Sequence, residues 1–118
     1  MRILNARTVA VAISTLILGT LPATAKPFLY SSTYSYSGSS DKCIKGAEAA
    51  LRKHGFGDFE YDKAKKERWV VITGWHSSEF ITALINCDPK LGTSTLGVSG
   101  IDPDLTYDMY EKLHKAPW

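Results

Sequence analysis

The run from Arg68 to Cys87 limits the possible folds more than any other part of the chain. It holds two stretches rich in Trp, Val, Ile, Thr and Phe on either side of the polar group His76-Ser77-Ser78-Glu79. β-Branched and aromatic side chains fit a pleated, half-buried surface, so the run predicts a β-hairpin. With Ser77-Ser78 as a two-residue turn, His76 pairs with Glu79 and Trp75 with Phe80. Cross-strand partners point to the same side, which divides the hairpin into two faces. One face carries Val70, Ile72, Gly74, Ile81, Ala83, Ile85 and Cys87. The other carries Trp69, Val71, Thr73, Trp75, Phe80, Thr82, Leu84 and Asn86. Both are largely apolar, so each requires an explanation.

Cys87 supplies the first. The only other cysteine is Cys43, and the N-terminus predicts export. Arg2 and Arg7 precede an uncharged apolar run from Thr8 to Leu21, and Ala23-Thr24-Ala25 offers a small-x-small cleavage site. That is the pattern of a secretory signal peptide over residues 1–25, and the apolar run is short of the roughly 20 residues a spanning helix needs. The expected destination is the periplasm or the exterior, with no stable membrane anchoring after cleavage. In an oxidising compartment two cysteines pair by default, so a Cys43–Cys87 disulfide is expected. No C-x-x-C and no metal-ligand spacing accompanies either cysteine, so neither a metal site nor a cofactor is expected.

The exported part, Lys26 to Trp118, is small enough for core size to be a concern. Without Arg2 and Arg7, 12 of the 14 basic residues remain against 12 acidic ones. A neutral chain lacks the clustered positive field that nucleic-acid recognition wants, so nucleic acid is not an expected partner.

Residues 26–39 form a Tyr/Ser-rich stretch read as a loosely held arm, with a partial alternation that could add a short edge strand. Residues 40–118 are read as a single domain. Ser40 is the expected N-cap of a helix over 40–54, with Asp41 in its first turn and Gly55 just past its end. Cys43, Ile44, Ala47, Ala50 and Leu51 fall on one face of that helix. Residues 57–62 alternate acidic and aromatic and could be a short strand. Residues 63–67 form a charged turn, 88–92 another turn, and 93–100 a further strand. Asp102 as N-cap and Pro103 at the first helical position begin a helix over 103–115, with Leu105, Met109 and Leu113 on one stripe. Ala116-Pro117-Trp118 is read as a tail.

Together these elements predict an α+β fold, a small two-layer sandwich. An antiparallel sheet of three or four strands carries the N-terminal and the C-terminal helix on one face. The Cys87 face must be the covered one if the disulfide forms. That leaves Trp69, Val71, Trp75, Phe80 and Leu84 as the candidate binding face, because a bare apolar patch marks a partner or ligand surface. Coverage by the 26–39 arm or the 56–66 loop, or by a second copy in a homodimer, are the alternatives to a protein partner.

No catalytic arrangement is expected. The groups of His76-Ser77-Ser78-Glu79 would diverge into water from a hairpin tip instead of converging in a pocket. His54 and His114 sit where cations complement helix ends, Asp102 and Asp104 belong to a helix start, and Glu60 and Asp62 to the solvent side of a strand. No phosphate loop, metalloprotease or hydrolase motif occurs. The sequence therefore points to a small exported, disulfide-stabilised interaction module. A self-associating envelope protein, or a thiol or hydrolytic enzyme, is the alternative.

Overall fold

The computed structural model describes residues 26–118, so the signal-peptide reading lies outside the described residues. The chain runs β1 (Phe28–Ser35), α1 (Ser40–Lys53), β2 (Phe56–Lys63), a 3-10 turn (Lys65–Glu67), β3 (Val70–His76), β4 (Ile81–Asp88), β5 (Thr93–Gly100) and α2 (Pro103–His114). The strands form one antiparallel sheet in the order β1-β5-β4-β3-β2. The chain thus begins at one edge, crosses the full width of the sheet through α1, and meanders back until β5 meets β1. Helix α1 packs on β2, β3 and β4, and α2 packs on β5 and β1. The result is the expected two-layer α+β sandwich, with five strands instead of three or four.

The additional strands have clear causes. Tyr30 and Tyr34 face α2, where Tyr30 meets Tyr110 at 5.9 Å and Tyr34 meets His114 at 5.5 Å and Trp118 at 5.3 Å. Ser31, Thr33 and Ser35 alternate with them on the other side. Aromatic packing under α2 therefore outweighs the entropic cost that the Ser-rich composition implies, and all eight residues of β1 pair with β5. At the far edge β2 extends from Phe56 to Lys63 and contains a bulge between Gly57 and Glu60. That irregularity, with Asp58 at φ 50°, brings Phe59 over Gly74 and beneath the Arg52 guanidinium, 4.7 Å from the ring centre.

Helix α1 is capped one residue earlier than the sequence predicts. Ser39, not Ser40, accepts a hydrogen bond from the Lys42 amide at 3.2 Å. At its other end Gly55 takes φ +88°, the left-handed conformation expected there. Asp102 caps α2 as expected, its carboxylate accepting from the Leu105 amide at 2.9 Å.

The β3–β4 hairpin differs from expectation in register. Trp75 pairs with Thr82 and Val70 with Cys87, which leaves a four-residue loop, Ser77–Phe80, in place of a two-residue turn. Ser-Ser has no preference for the positive φ angles of a tight hairpin turn, and His76 stabilises the wider loop instead. Its Nδ1 accepts from the backbone amides of Ser78 (3.3 Å) and Glu79 (3.2 Å). The Ser77 amide donates to the Gly55 carbonyl at 2.9 Å and docks the loop on the α1–β2 connection. The slip is two residues, equal to the side-chain period, so every strand residue keeps its face.

The covered face is the one expected. Val70, Ile72, Ile81, Ala83, Ile85 and Cys87 are buried, with Leu96 and Val98 beside them and Cys43, Ala47, Ala50, Leu51, Met109 and Leu113 above. Cys43 and Cys87 form the disulfide, which pins the first turn of α1 to the end of β4. One transverse row crosses all five strands on this face: Tyr61, Ile72, Ile85, Leu96 and Ser32. Its centre is apolar and its two ends are hydroxyls. Tyr61 donates to Glu48 of α1 at 2.6 Å, and Ser32 shares a hydrogen bond with Tyr110 of α2. Each helix is therefore held to its own end of the row.

The C-terminal residues also differ from expectation. Trp118 packs on Tyr34, and its indole N–H donates to the Leu113 carbonyl at 3.1 Å. Gly46 makes room for it, since a Cβ there would lie 2.9 Å from the Trp118 Cα.

Candidate functional site

The second face of the sheet carries neither helix. β1 lies in the plane of the sheet, so the N-terminal segment does not fold across that face either. The strand registers divide the face into three zones. On β1 and β5 it is hydroxylic, with Ser31, Thr33, Thr95 and Ser99, apart from the exposed Leu29 opposite Ser99, and the Thr33 and Thr95 hydroxyls lie 3.4 Å apart. On β3 and β4 the apolar Val71, Trp75 and Leu84 sit among Thr73, Thr82 and Asn86. On β2 it is acidic, with Glu60 and Asp62 beside Thr73 and Val71.

Of the five predicted face residues, the strand registers place Val71, Trp75 and Leu84 on this side. Trp69, just ahead of β3, and Val71 are half-buried, whereas Trp75 and Leu84 are each 38% exposed. Two glycines leave bare backbone beside the exposed pair. Gly57 is the neighbour of Trp75 on β2, Gly97 is the neighbour of Leu84 on β5, and a Cβ on either would meet nothing within 4 Å. Trp75 and Leu84 therefore rise from flat ground, a relief into which another surface can fit. Phe80 is a correction. It is not a strand residue paired with Trp75 but part of the loop, 86% exposed, where it and Trp75 line a hollow of about 410 Å³ at the hairpin end.

His76 is committed to structure. Its Nδ1 accepts from two loop amides, the Ser78 hydroxyl lies 3.5 Å from the same atom, and its ring is edge-on to Phe56 at 5.3 Å, so it orders the loop. Among the described residues no three His, Cys, Asp or Glu side chains converge as a metal site.

A second concavity, about 450 Å³, lies between the helices and is lined by Ala49, Ala50, Lys53, His54, Lys112, Lys115, Ala116 and Pro117. Its cations have a structural account. They sit in or just past the last turns of α1 and α2, where they offset the negative ends of two helix dipoles. Lys112 also pairs with Asp108 at 3.0 Å and Lys115 with Glu111 at 3.5 Å. His54, half-buried here, has its pKa pushed down by burial first and then by Lys53 and Lys112, so it adds little charge near neutrality.

On α1 the Glu48 carboxyl has its pKa lowered, chiefly by the Tyr61 hydrogen bond and then by Arg52. The charged form is therefore favoured by folding, and that stabilisation is present above the unfolded pKa and disappears as pH falls through the lower folded value. Tyr61→Phe is expected to cost about 1 kcal/mol at neutral pH, the value for a charged hydrogen bond reduced by its exposure. The deficit should close as the pH drops below about 4. Urea titrations of both proteins across that range check it, and a pH-independent difference would refute the assignment.

No protein-family profile matches the sequence, and no curated protein matches it significantly. The functional reading therefore rests on the molecule itself. Residue by residue, strand period in the sequence placed Val71, Trp75 and Leu84 on the open side, but not Ser31 and Thr33, because the β1 stretch reads as a loosely held arm with at most a short edge strand. The Tyr-Ser-Ser-Thr-Tyr-Ser spacing of Tyr30 to Ser35 was the available signal: tyrosines four apart lie on one side of a strand, with Ser31, Thr33 and Ser35 on the other.

Proposed function

We propose that this chain is an exported, disulfide-stabilised interaction module that presents the open face of its sheet to a protein partner. The observation that carries the reading is the exposed pair Trp75, near the hairpin end, and Leu84, on a face that no other element among the described residues covers, each beside a glycine that leaves the backbone accessible. Five strands about 4.8 Å apart and about 25 Å long give roughly 500 Å² of flat surface, on the scale of one side of a standard protein interface. Trp is also the residue type most often found to dominate binding energy. The hydroxyls of β1 and β5 and the acids of β2 border the side chains of β3 and β4, where Val71, Trp75 and Leu84 supply the apolar contact of a mixed interface. Export is supported by the signal-like residues 1–25 and by the buried disulfide, which belongs to an oxidising compartment. No helix among the described residues is long and apolar enough to cross a membrane.

The test is position-dependent photo-crosslinking in cells that export the protein. A photoreactive side chain at Thr73 or Thr82 should give a discrete cross-linked partner, and one at Lys45 on α1 should not. Trp75→Ala should abolish that product while leaving the thermal midpoint nearly unchanged, because a hot-spot aromatic contributes about 2 kcal/mol or more, roughly thirtyfold in affinity. Equal products from both sides of the sheet, or none from the open face, would overturn the proposal. A product with the mass of two copies would reassign the face to self-association.

A further inference from the structure

The two edges of the sheet are built in opposite ways. An edge strand exposes a row of unpaired N–H and C=O groups, which proteins guard with charges, bulges and irregular backbone. β2 has all three defences: a bulge between Gly57 and Glu60, Asp58 at φ 50°, and the charges of Asp58, Glu60, Asp62 and Lys63. β1 has none of them. It pairs with β5 through eight successive residues without interruption, and Phe-Leu-Tyr-Ser-Ser-Thr-Tyr-Ser contains no charge, proline or glycine.

This unguarded edge is also flanked by exposed aromatic surface. On the helix side Tyr107 of α2 is 49% exposed, with its ring 5.3 Å from Tyr30 and 6.1 Å from Tyr110. Phe28, at the start of β1, is 43% exposed. A docking strand would therefore find backbone partners and an apolar shoulder together.

We propose that β1 is the seam of a homodimer, pairing antiparallel with β1 of a second copy about a two-fold axis to form one continuous ten-stranded sheet. The occupant follows from symmetry and charge. A strand paired with itself about a two-fold axis perpendicular to the sheet is necessarily antiparallel, and the interface is isologous, so the strand must be complementary to its own reverse. An uncharged Tyr/Ser alternation meets that condition, with no like charges brought together. The same axis places both α2 helices on one side, so the Tyr107 shoulders of the two copies flank the seam. It also joins the two open faces into a single surface of twice the width. The inference rests on the edge and not on that face, so either can fail alone.

Light scattering and amide hydrogen exchange on the purified exported protein form the test. The expected result is a dimer in which the β1 amides directed away from β5 exchange slowly, as ladder amides do. The double variant Ser31→Lys, Thr33→Lys places four cations at the seam while leaving the β1–β5 pairing in place. It should weaken dimerisation at least tenfold with an unchanged circular dichroism spectrum. A monomer at every concentration up to the solubility limit would overturn the proposal. So would a dimer whose outward β1 amides exchange freely, since that dimer must use another surface.

Discussion

Replacing Cys43 with Ser is expected to lower the stability of the fold by about 4 kcal/mol, the chain-entropy value for a loop of this length. The disulfide joins residues 44 apart in sequence, and both cysteines are fully buried at 0% exposure. The unfolded chain regains the freedom that the crosslink removed, and the remaining thiol and the new hydroxyl are left in an apolar core. In a domain of this size such a loss lowers the melting temperature by roughly 15–30 °C. Thermal melts followed by circular dichroism, with the wild type in reductant as a parallel, provide the measurement. The two should move together, and an unshifted midpoint in the variant would mean that the crosslink constrains nothing.

Ile85→Ala should produce an effect of similar size by a different route. Ile85 lies at the centre of the transverse row, between Ile72 and Leu96, and is fully buried beneath the helices. Truncating it removes apolar contact and leaves a cavity that the paired strands on both sides cannot close. Substitutions of this kind cost about 2–5 kcal/mol. Ile85→Val should cost only about 0.5–1.5 kcal/mol. Denaturant unfolding should show the midpoint falling with little change in slope. A loss under about 1 kcal/mol for the alanine variant would show that the row is not the centre of the core.

How far these features were legible depended on whether local chemistry or distant packing decided them. Helices α1 and α2 were readable because an N-terminal capping signal and an apolar stripe coincide at each, with Gly55 closing α1, although the α1 cap is Ser39 and not Ser40. The hairpin faces were readable for a more robust reason: a two-residue slip in register changes the partners of Trp75 and Phe80 but not the side on which Trp75 lies. The loop that caused the slip was not readable, since it depends on His76 reaching two amides and on a bond to Gly55 from a different part of the chain. β1 was read only as a possible edge strand because its stabilisation comes from Tyr107, Tyr110 and His114, more than 70 positions away. Trp118 is the same case at the other terminus, its place determined by Gly46 and Tyr34. Strand period alone thus placed Val71, Trp75 and Leu84 on the open side of the sheet, whereas the turn moved Phe80 out of the strand and into the loop.

The position of the disulfide has a mechanical consequence. The loop it closes contains most of α1, β2, β3 and nearly all of β4, whereas β1, β5 and α2 lie outside it. Stretched from residues 26 and 118, the oxidised chain could lengthen only through its outer segments, to roughly 170 Å at about 3.4 Å per residue. The enclosed 44-residue span would hold a further length of about 150 Å in reserve. Under tension this molecule is a short tether, and only a reductant releases the remainder of its length.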